Sequence, residues 1–333
     1  MSLGIDEPAS AGSEPDPDRP AAIGGSTRFV PGQSHNRITI VNGKVQLGQR
    51  LVDLWRNRDL LVLLTRTELK VKYKESVLGY AWSMLNPALV LGIYYVIFKL
   101  ISRTAQPHFA IWLFCGLIVW NLFNNSAQAS TTVVVGKAGI IKKVAFPREL
   151  LAMSTVGVSI VLFAIQLVVL VIFLALFQIV PDWGALWLLP LAFVALLVFT
   201  SAVSIFLSAV NVYLRDTQHL SEVALMAWFW ATPIVYPFAL VAKHLTKYHL
   251  TWLYLSNPIT PIAMTFQRVI YSHTSYSVVD PKSGAVTVNQ LLPNVGLGAY
   301  AALLGIVFVV SVGLFLLSLI VFGRLEGNFA EEL

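Results

Sequence analysis

Residue types that could carry catalytic chemistry are scarce in this 333-residue sequence. Asp16-Pro17-Asp18 has the spacing of a metal-binding carboxylate pair, but it lies in an acidic, proline-rich segment where a chance match is more plausible. The two Gly-Lys pairs are followed by Val45 and Ala138, so neither forms the phosphate loop G-x-x-x-x-G-K-[ST]. A single cysteine, Cys115, gives no disulfide and no metal pattern. The sequence therefore predicts no catalytic site and no cofactor or metal on this chain.

Ionisable residues are equally rare in the apolar segments. A carrier driven by protons or sodium ions would be expected to bury such residues, because they are costly in a membrane and mark ion pathways. Only His108, His219 and Glu222 come close. The simplest interpretation of Glu222 is an interfacial carboxylate paired with Arg215 or a lysine, and a mechanistic role is the alternative. Energy supplied by a separate ATPase fits this shortage better.

The elements that must position these residues are transmembrane helices. The chain is 56% hydrophobic and only 12% charged, with a mean hydropathy of +0.72, whereas soluble domains carry roughly 25% charged residues. Alternation typical of a β-barrel is missing. Six windows without Asp, Glu, Lys or Arg are each long enough for the ~20 residues that cross a bilayer. These windows predict an all-α integral membrane protein with six transmembrane helices in 76–323, at 76–98, 104–136, 150–181, 183–214, 223–242 and 283–323.

The positions of lysine and arginine predict the orientation. With the N-terminus inside, the cytoplasmic segments hold 17 of the 23 basic residues, which is the positive-inside pattern. We therefore expect a multi-pass protein of a bacterial plasma membrane with both termini cytoplasmic, including a C-terminal segment 324–333. The basic character reports this topology and does not indicate nucleic-acid binding.

Two kinds of segment precede the spans. Residues 1–46 are acidic and proline-rich, so we expect a disordered cytoplasmic tail, and without an apolar h-region it is not a cleaved signal peptide. Apolar residues recur at helical spacing from Leu47 to Leu64, which predicts an amphipathic helix in the headgroup layer. A helix packed on a soluble partner is the alternative. The lysine-rich run that completes 47–75 forms a basic collar attracted to anionic lipids.

Several blocks of sequence resemble a known family. VLGYAWSMLNP at 77–87, IKKVAFPREL at 141–150, NVYLRD at 211–216, WFWATPIVYP at 228–237, NPITP at 257–261 and RLE at 324–326 occur in this order. They resemble the permease subunits of ABC transporters that export polysaccharides, such as O-antigen, teichoic acid or lipid-linked galactan. The resemblance covers residues 47 to about 330.

The resemblance implies a coupling helix that docks on the ATPase, in the loop 136–150 between spans two and three. Pro147 suits the first turn of a helix, and Glu149 suits its N-terminal dipole. A plain basic loop is the alternative. The residues assigned to coupling are Lys142, Lys143, Phe146, Pro147, Arg148 and Glu149.

The segment 243–272 is predicted to form re-entrant gate helices. Its apolar pieces are too short to cross, and such broken helices are tolerated at membrane depth only where they line a cavity. The gate breaks are assigned to Asn257, Pro258, Thr260 and Pro261, with a surface loop as the alternative. An external loop is expected at 273–296.

Aromatic residues within the predicted spans offer faces on which sugar rings stack. The resemblance associates such residues with a carbohydrate conduit, although core packing is the more plausible role for any one of them. Span two adds a polar, uncharged face. The conduit candidates are Tyr94, Tyr95, Trp112, Trp120, Phe123, Trp228 and Trp230, and the polar face comprises Asn121, Asn124, Asn125, Ser126, Gln128 and Ser130.

These features together predict a permease that acts as a homodimer with two copies of a separate ATPase, which would hold ATP and magnesium. The predicted substrate is a lipid-linked polysaccharide. Alternatives are an exporter of another lipid or drug and, from a different class, a membrane-embedded glycosyltransferase or acyltransferase of cell-envelope synthesis. Such an enzyme would need a pair of catalytic carboxylates or histidines near the membrane surface.

Overall fold

A computed structural model of the chain describes residues 47–74, 81–97, 108–144, 146–238, 254–272, 275–279, 286–293 and 295–332. The predicted tail 1–46 and the first part of the predicted gate, 243–253, lie outside the described residues. The helices are α1 Leu47–Arg56, α2 Arg58–Tyr73, α3 Ala81–Val96, α4 Phe109–Gly136, α5 Ala138–Ile141, α6 Glu149–Leu176, α7 Leu188–Tyr213, α8 Thr217–Trp230, α9 Ile259–Phe266, α10 Leu297–Leu325 and α11 Phe329–Glu332.

Four of these helices are long and apolar enough to cross a membrane. They are α4, α6, α7 and α10, with 26 to 29 residues each. At 1.5 Å per residue they span about 39–44 Å, more than the ~30 Å hydrocarbon core. Each coincides with an uncharged window of the sequence, so the prediction of membrane-spanning helices is confirmed for these four.

The predicted fifth span is shorter in the structure, and the predicted first span is described only in part. The helix α3 has 16 described residues and contains Pro87. The helix α8 has 14 residues, which is about 21 Å and too short to cross. The uncharged window 223–242 does not form one helix, because the chain turns after Trp230 at Pro233, and a proline disfavours the helical conformation of the residue before it.

The N-terminal amphipathic segment consists of two helices instead of one. Between α1 and α2, the side-chain amide of Asn57 donates to the carbonyl of Asp53 at 2.7 Å. Leu54 is buried, whereas Trp55 is exposed. The helix α2 then packs along α6, where Thr65 lies beside Gly157.

Among the four long helices, α7 and α4 are central, and the other helices pack against them. The helix α7 contacts α4, α6 and α10, and α4 also packs against α6 and α9. Most buried side chains form one large cluster between these helices. A second, smaller cluster joins α1 to the start of α6 and to the end of the chain, and its members include Leu54, Val134, Leu150, Phe322 and Phe329.

The predicted loop 273–296 contains a β-hairpin. The strands β1 Ser275–Val279 and β2 Val286–Gln290 are antiparallel, with Ser275 opposite Gln290 and Val279 opposite Val286. The all-α prediction therefore describes the spans, and this hairpin is an addition that it did not include.

Candidate functional site

One face of α4 lines a series of cavities. The first, of about 330 Å³, lies between Lys72, Trp82 and Asn86 on one side and Asn121, Asn125 and Gln166 on the other. The side-chain amide of Asn121 donates to Oε1 of Gln166 at 3.2 Å. This bond ties the polar face of α4 to α6 and orients both amides at the cavity wall.

Two further cavities continue the first along α4. One, of about 350 Å³, is lined by Gln128, Thr132, Gln218 and Glu222. The other, of about 170 Å³, is lined by Glu68, Thr155 and Ser159. All three cavities share Lys72 and Asn125.

These three cavities, which we call the α4 groove, follow one face of α4 from Thr132 to Phe114. That distance is about 27 Å at 1.5 Å per residue, close to the ~30 Å thickness of the hydrocarbon core. Uncharged amides and hydroxyls supply most of its polar wall. Along α4 its polar residues run from Asn121 to Thr132, which is about 17 Å at 1.5 Å per residue, and Phe114 and Leu117 line the remaining, apolar end.

The predicted polar face of span two is divided by the structure. Asn121, Asn125 and Gln128 line the groove. Ser126 and Ser130 are buried and donate to carbonyls of their own helix at 2.7 and 2.9 Å, so their hydroxyls are not presented to the groove.

The structure places Glu222 differently from the sequence interpretation. Its carboxylate is exposed and lines the second cavity. Within the described ranges, no ion pair joins Glu222 to Arg215. The predicted pairing with Arg215 is therefore not found.

Three of the seven conduit candidates, Trp120, Phe123 and Trp228, lie in one aromatic cluster. Trp112 and Phe123 are fully buried, and Trp120 nearly so. The Phe123 ring lies 5.2 Å from the Trp228 ring, and the Trp120 ring lies 5.5 Å from that of Phe123. The cluster is thus part of the core between α4 and α8 in the single chain.

The remaining conduit candidates stand outside this cluster. Trp230 is 55% exposed at the end of α8, and Tyr94 is half-buried against the main core. The side chain of Tyr95 lies outside the described part of the chain. Trp230 is therefore the Trp candidate most open to a ligand, and the conduit assignment stays a prediction.

The gate residue Asn257 bonds directly to α8. Its Oδ1 accepts from the indole Nε1 of Trp228 at 2.9 Å, and its amide donates to Oγ1 of Thr232 at 2.9 Å. Oδ1 also accepts from the backbone N–H of Ile259 at 3.1 Å, at the start of α9. We call this arrangement the Asn257 clasp.

The predicted gate breaks differ from one another. The chain does break at Asn257-Pro258, since α9 begins at Ile259. Thr260 and Pro261 instead lie in the first turn of α9 and are buried, where a proline is tolerated because the first N–H groups of a helix need no intrahelical acceptor. The helix α9 therefore runs through Thr260 and Pro261, and their assignment to the gate segment stays a prediction.

At its far end, α9 continues into a π-helix, Gln267–Tyr271. Arg268 Nη1 lies 2.8 Å from the Asp182 carboxylate, and the backbone N–H of Asp182 donates to the Val269 carbonyl at 2.9 Å. Ser272 also donates to the carbonyl of Val180 at 3.1 Å. These bonds fix the predicted gate segment to the loop between α6 and α7. The sequence analysis missed them, although opposite charges on two predicted external segments were a usable signal.

The coupling candidates separate into outward and inward groups. Lys142 and Lys143 are exposed after the short helix α5. Pro147 precedes α6, and Glu149 is the first residue of that long helix with only 2% exposure. The predicted helix starting at Pro147 is thus the third span itself, and Glu149 is buried away from any docking surface.

Two ion-paired arginines hold this loop. Arg50 donates to the carboxylates of Glu149 and Glu326, the latter at 3.0 Å. Arg148 donates to the Glu326 carbonyl at 2.9 Å and lies 5.8 Å above the Phe329 ring. Burial alone would lower the pKa of Arg50, but the two carboxylates together raise it above its ordinary value. The sequence analysis did not identify Arg50 and Glu326 as residues that hold this loop.

Comparison with known proteins identifies the family. Residues 59–271 match the family described as ABC-2 type transporter. An O-antigen export system permease protein RfbA of Klebsiella pneumoniae is 35% identical over 216 residues, covering 65% of this chain and 82% of the relative. The protein of that name from Myxococcus xanthus is 31% identical over 225 residues, covering 67% and 85%.

The family match includes the elements that form the site. It runs from α2 to the π-helix and takes in the α4 groove, the loop with Lys142 and Lys143, and the Asn257 clasp. These matches confirm the resemblance to permeases of ABC transporters. The chain belongs to the ABC-2 type transporter family.

Proposed function

We propose that this chain is the permease subunit of an ABC transporter that exports a lipid-linked polysaccharide across the bacterial plasma membrane. The observation that carries the proposal is the α4 groove, which runs for about 27 Å at 1.5 Å per residue beside apolar spans and is lined by uncharged polar side chains from Asn121 to Thr132. The relatives named as O-antigen export permeases support the substrate class.

The lining of the groove suits a sugar polymer better than an ion. The amides of Asn121, Asn125 and Gln166 both donate and accept hydrogen bonds without carrying charge, as sugar hydroxyls do. The ionisable residues among its described lining are Glu68, Lys72, Tyr73 and Glu222. A path with few fixed charges allows a neutral or weakly charged chain to pass without strong trapping.

Energy would come from two copies of a separate ATPase, which would hold ATP and magnesium. Lys142 and Lys143 are the residues we assign to docking, because both are exposed on the loop between α4 and α6. Arg148 and Glu149 would support this loop from within. Phe146 and Pro147 are partly buried between the two groups.

The oligomer is proposed as a homodimer. The helix α8 buries one side against α4 and leaves the apolar side chains of Val223 and Met226 exposed, a surface that a second copy would cover. The bond between Arg50 and Glu326 brings the N-terminal helix to the end of α10, which supports both termini facing the cytoplasm. The gate segment would then be re-entrant from the outside.

The experiment is reconstitution of the chain in proteoliposomes with and without its partner ATPase. We expect ATP-dependent movement of a lipid-linked polysaccharide across the bilayer only when both proteins are present. Transport of a non-glycan lipid or a drug in its place would favour the first alternative. Glycosyl or acyl transfer by the chain alone would contradict the proposal and favour an enzyme.

A further inference from the structure

Lys72 occupies a distinctive place in the structure, because it lines all three cavities of the α4 groove. Its helical neighbour one turn earlier, Glu68, pairs with Lys137 of the segment after α4. Among the residues that the structure describes, no carboxylate lies within ion-pair distance of Lys72. Lys72 is an exposed residue whose ammonium group is partly desolvated, which lowers its pKa, so an anion bound in the cavity would stabilise its charged form.

The first cavity has two chemically different walls. Asn121, Asn125 and Gln166 form an amide wall, and Lys72 supplies an ammonium group to the same cavity. The opposite character comes from the apolar lining residues Trp82, Pro87, Val90, Phe114, Leu117 and Leu162. A cavity with one cation, several amide donors and an apolar wall matches an amphiphile that has an anionic head and a hydrocarbon chain.

We infer that the first cavity binds the phosphate-bearing head of the lipid carrier, with Lys72 contacting a phosphate oxygen and the amides of Asn121 and Asn125 donating to others. This inference rests on the proposed function and extends it to a specific subsite. The carrier's hydrocarbon chain would leave along α3, whose exposed side chains Leu85, Leu89 and Ile93 are apolar.

Binding of the sugar part of the substrate would not account for a positive charge at Lys72. Neutral hydroxyls leave a partly desolvated ammonium uncompensated, whereas a phosphate neutralises it through charge-assisted hydrogen bonds. A general attraction to anionic headgroups would act alike on Lys72 and Lys70, since both residues are exposed, whereas only Lys72 lines the three cavities. Lys70 therefore provides a matched control on the same helix.

The test uses the purified full chain in phosphatidylcholine nanodiscs and measures binding of farnesyl diphosphate, with farnesol as the uncharged probe. We expect Lys72→Gln to weaken binding of farnesyl diphosphate by about tenfold or more, since charge-assisted hydrogen bonds are the stronger kind. Lys72→Arg should retain most of the affinity. Lys70→Gln should change it by less than about twofold, given the weak net effect of exposed charges, and farnesol binding should be the same in every variant.

A second variant tests the same cavity without changing Lys72. Asn121→Asp keeps the side-chain shape but adds a negative charge to the amide wall, so we expect it to weaken binding of farnesyl diphosphate as well. Asn124→Asp is its control, because Asn124 does not line the first cavity. The thermal unfolding midpoint of each variant checks that the protein is folded.

Equal losses in the Lys72 and Lys70 variants, or displacement of the probe by phosphatidylglycerol at similar concentration, would overturn the inference in favour of general lipid attraction. Lack of any effect of Lys72→Gln would overturn it directly, even if the reconstituted transporter exports polysaccharide. Conversely, Lys72-dependent binding without polysaccharide export would leave the subsite in place and contradict the proposed function.

Discussion

A single amide side chain links the predicted gate to α8. Asn257 bonds to an indole N–H, to a hydroxyl and to the first backbone N–H of α9. These partners need both an acceptor and a donor, which an amide supplies and a carboxylate does not. The indole N–H of Trp228 is therefore occupied in this state and is not free to bond a sugar hydroxyl.

Asn257→Ala should destabilise the protein by about 1–3 kcal/mol, because it leaves polar groups of Trp228 and Thr232 without their partner. The measurement is the thermal unfolding midpoint in detergent. Asn124→Ala is the control, since Asn124 accepts a bond from Gln128 on the exposed side of α4. Equal midpoints for the two variants would mean that the clasp contributes nothing to stability.

Trp228→Leu and Trp230→Leu should have opposite consequences. Trp228 packs against Phe123 and Phe199, so its replacement should cost about 1–3 kcal/mol of stability and reduce export only as folded protein is lost. Trp230 is largely exposed, so its variant should keep its stability within about 0.5 kcal/mol and lose export. Normal export by folded Trp230→Leu would remove this residue from the conduit.

Sequence alone could not separate these tryptophans. In a charge-poor span, every face of a helix is apolar, so the periodicity that marks the core side of a soluble helix is missing. The sequence did indicate that aromatic residues gather near α4 and α8. Which of them face the core depends on Phe123 of α4 and Phe199 of α7, which are distant from Trp228 and Trp230 in the chain.

At the scale of elements, the length of the uncharged windows correctly predicted the four long helices. The same criterion failed for the window 223–242. The window 223–242 is uncharged throughout, yet α8 ends at Trp230 because the chain turns at Pro233. Hydropathy measures transfer into lipid and carries no information about such a turn. Pro233 was the available signal for this turn. A proline also correctly predicted the break at Asn257-Pro258.

Gly157→Ala tests the packing of α2 on α6. An added Cβ would lie 2.5 Å from Oγ1 and 3.3 Å from Cβ of Thr65, so the Thr65 side chain or the helix α2 must shift, which we expect to cost about 1–3 kcal/mol. Gly305→Ala in α10 meets no atom within 4 Å and should be neutral or stabilising through helix propensity. Unfolding midpoints check both, and an unchanged Gly157→Ala protein would show that α2 is loosely held.

The loop between α4 and α6 allows docking and folding to be tested separately. Replacing Lys142 and Lys143 by Ala should leave the unfolding midpoint unchanged and reduce stimulation of the partner ATPase, because both side chains are exposed. The control is Arg148→Ala, which loses its bond to the Glu326 carbonyl and should lower the midpoint. Full ATPase stimulation by the double lysine variant would exclude these residues from docking.

At the scale of the whole molecule, ion pairs join segments that are far apart in the chain. Arg50 of α1 bonds to Glu149 of α6 and to Glu326 after α10. Each partner alone looks like an ordinary interfacial charge, and only the fold brings them together. For this reason the sequence predicted a basic cytoplasmic side and did not predict the network.

Arg50→Met should destabilise the chain by about 3–5 kcal/mol, the range for removing one partner of a buried pair, because Glu149 would be left buried and charged. Adding Glu149→Gln to this variant should recover part of the loss by removing the charge. Arg56→Met, at an exposed position of the same helix, should have little effect. No recovery in the double variant would mean that Arg50 acts through packing, which the unfolding midpoints would reveal.

The Arg50 network also sets the order in which the protein can be completed during synthesis. Glu326 is translated 276 residues after Arg50, which takes roughly 14–55 s at ~5–20 residues per second. Until then, Arg50 and Glu149 lack their third member, and Phe329 has not yet packed on Tyr213 and Phe322. The smaller core cluster around Phe329 therefore closes last, so a chain that stops translating before Glu326 leaves this surface unfinished.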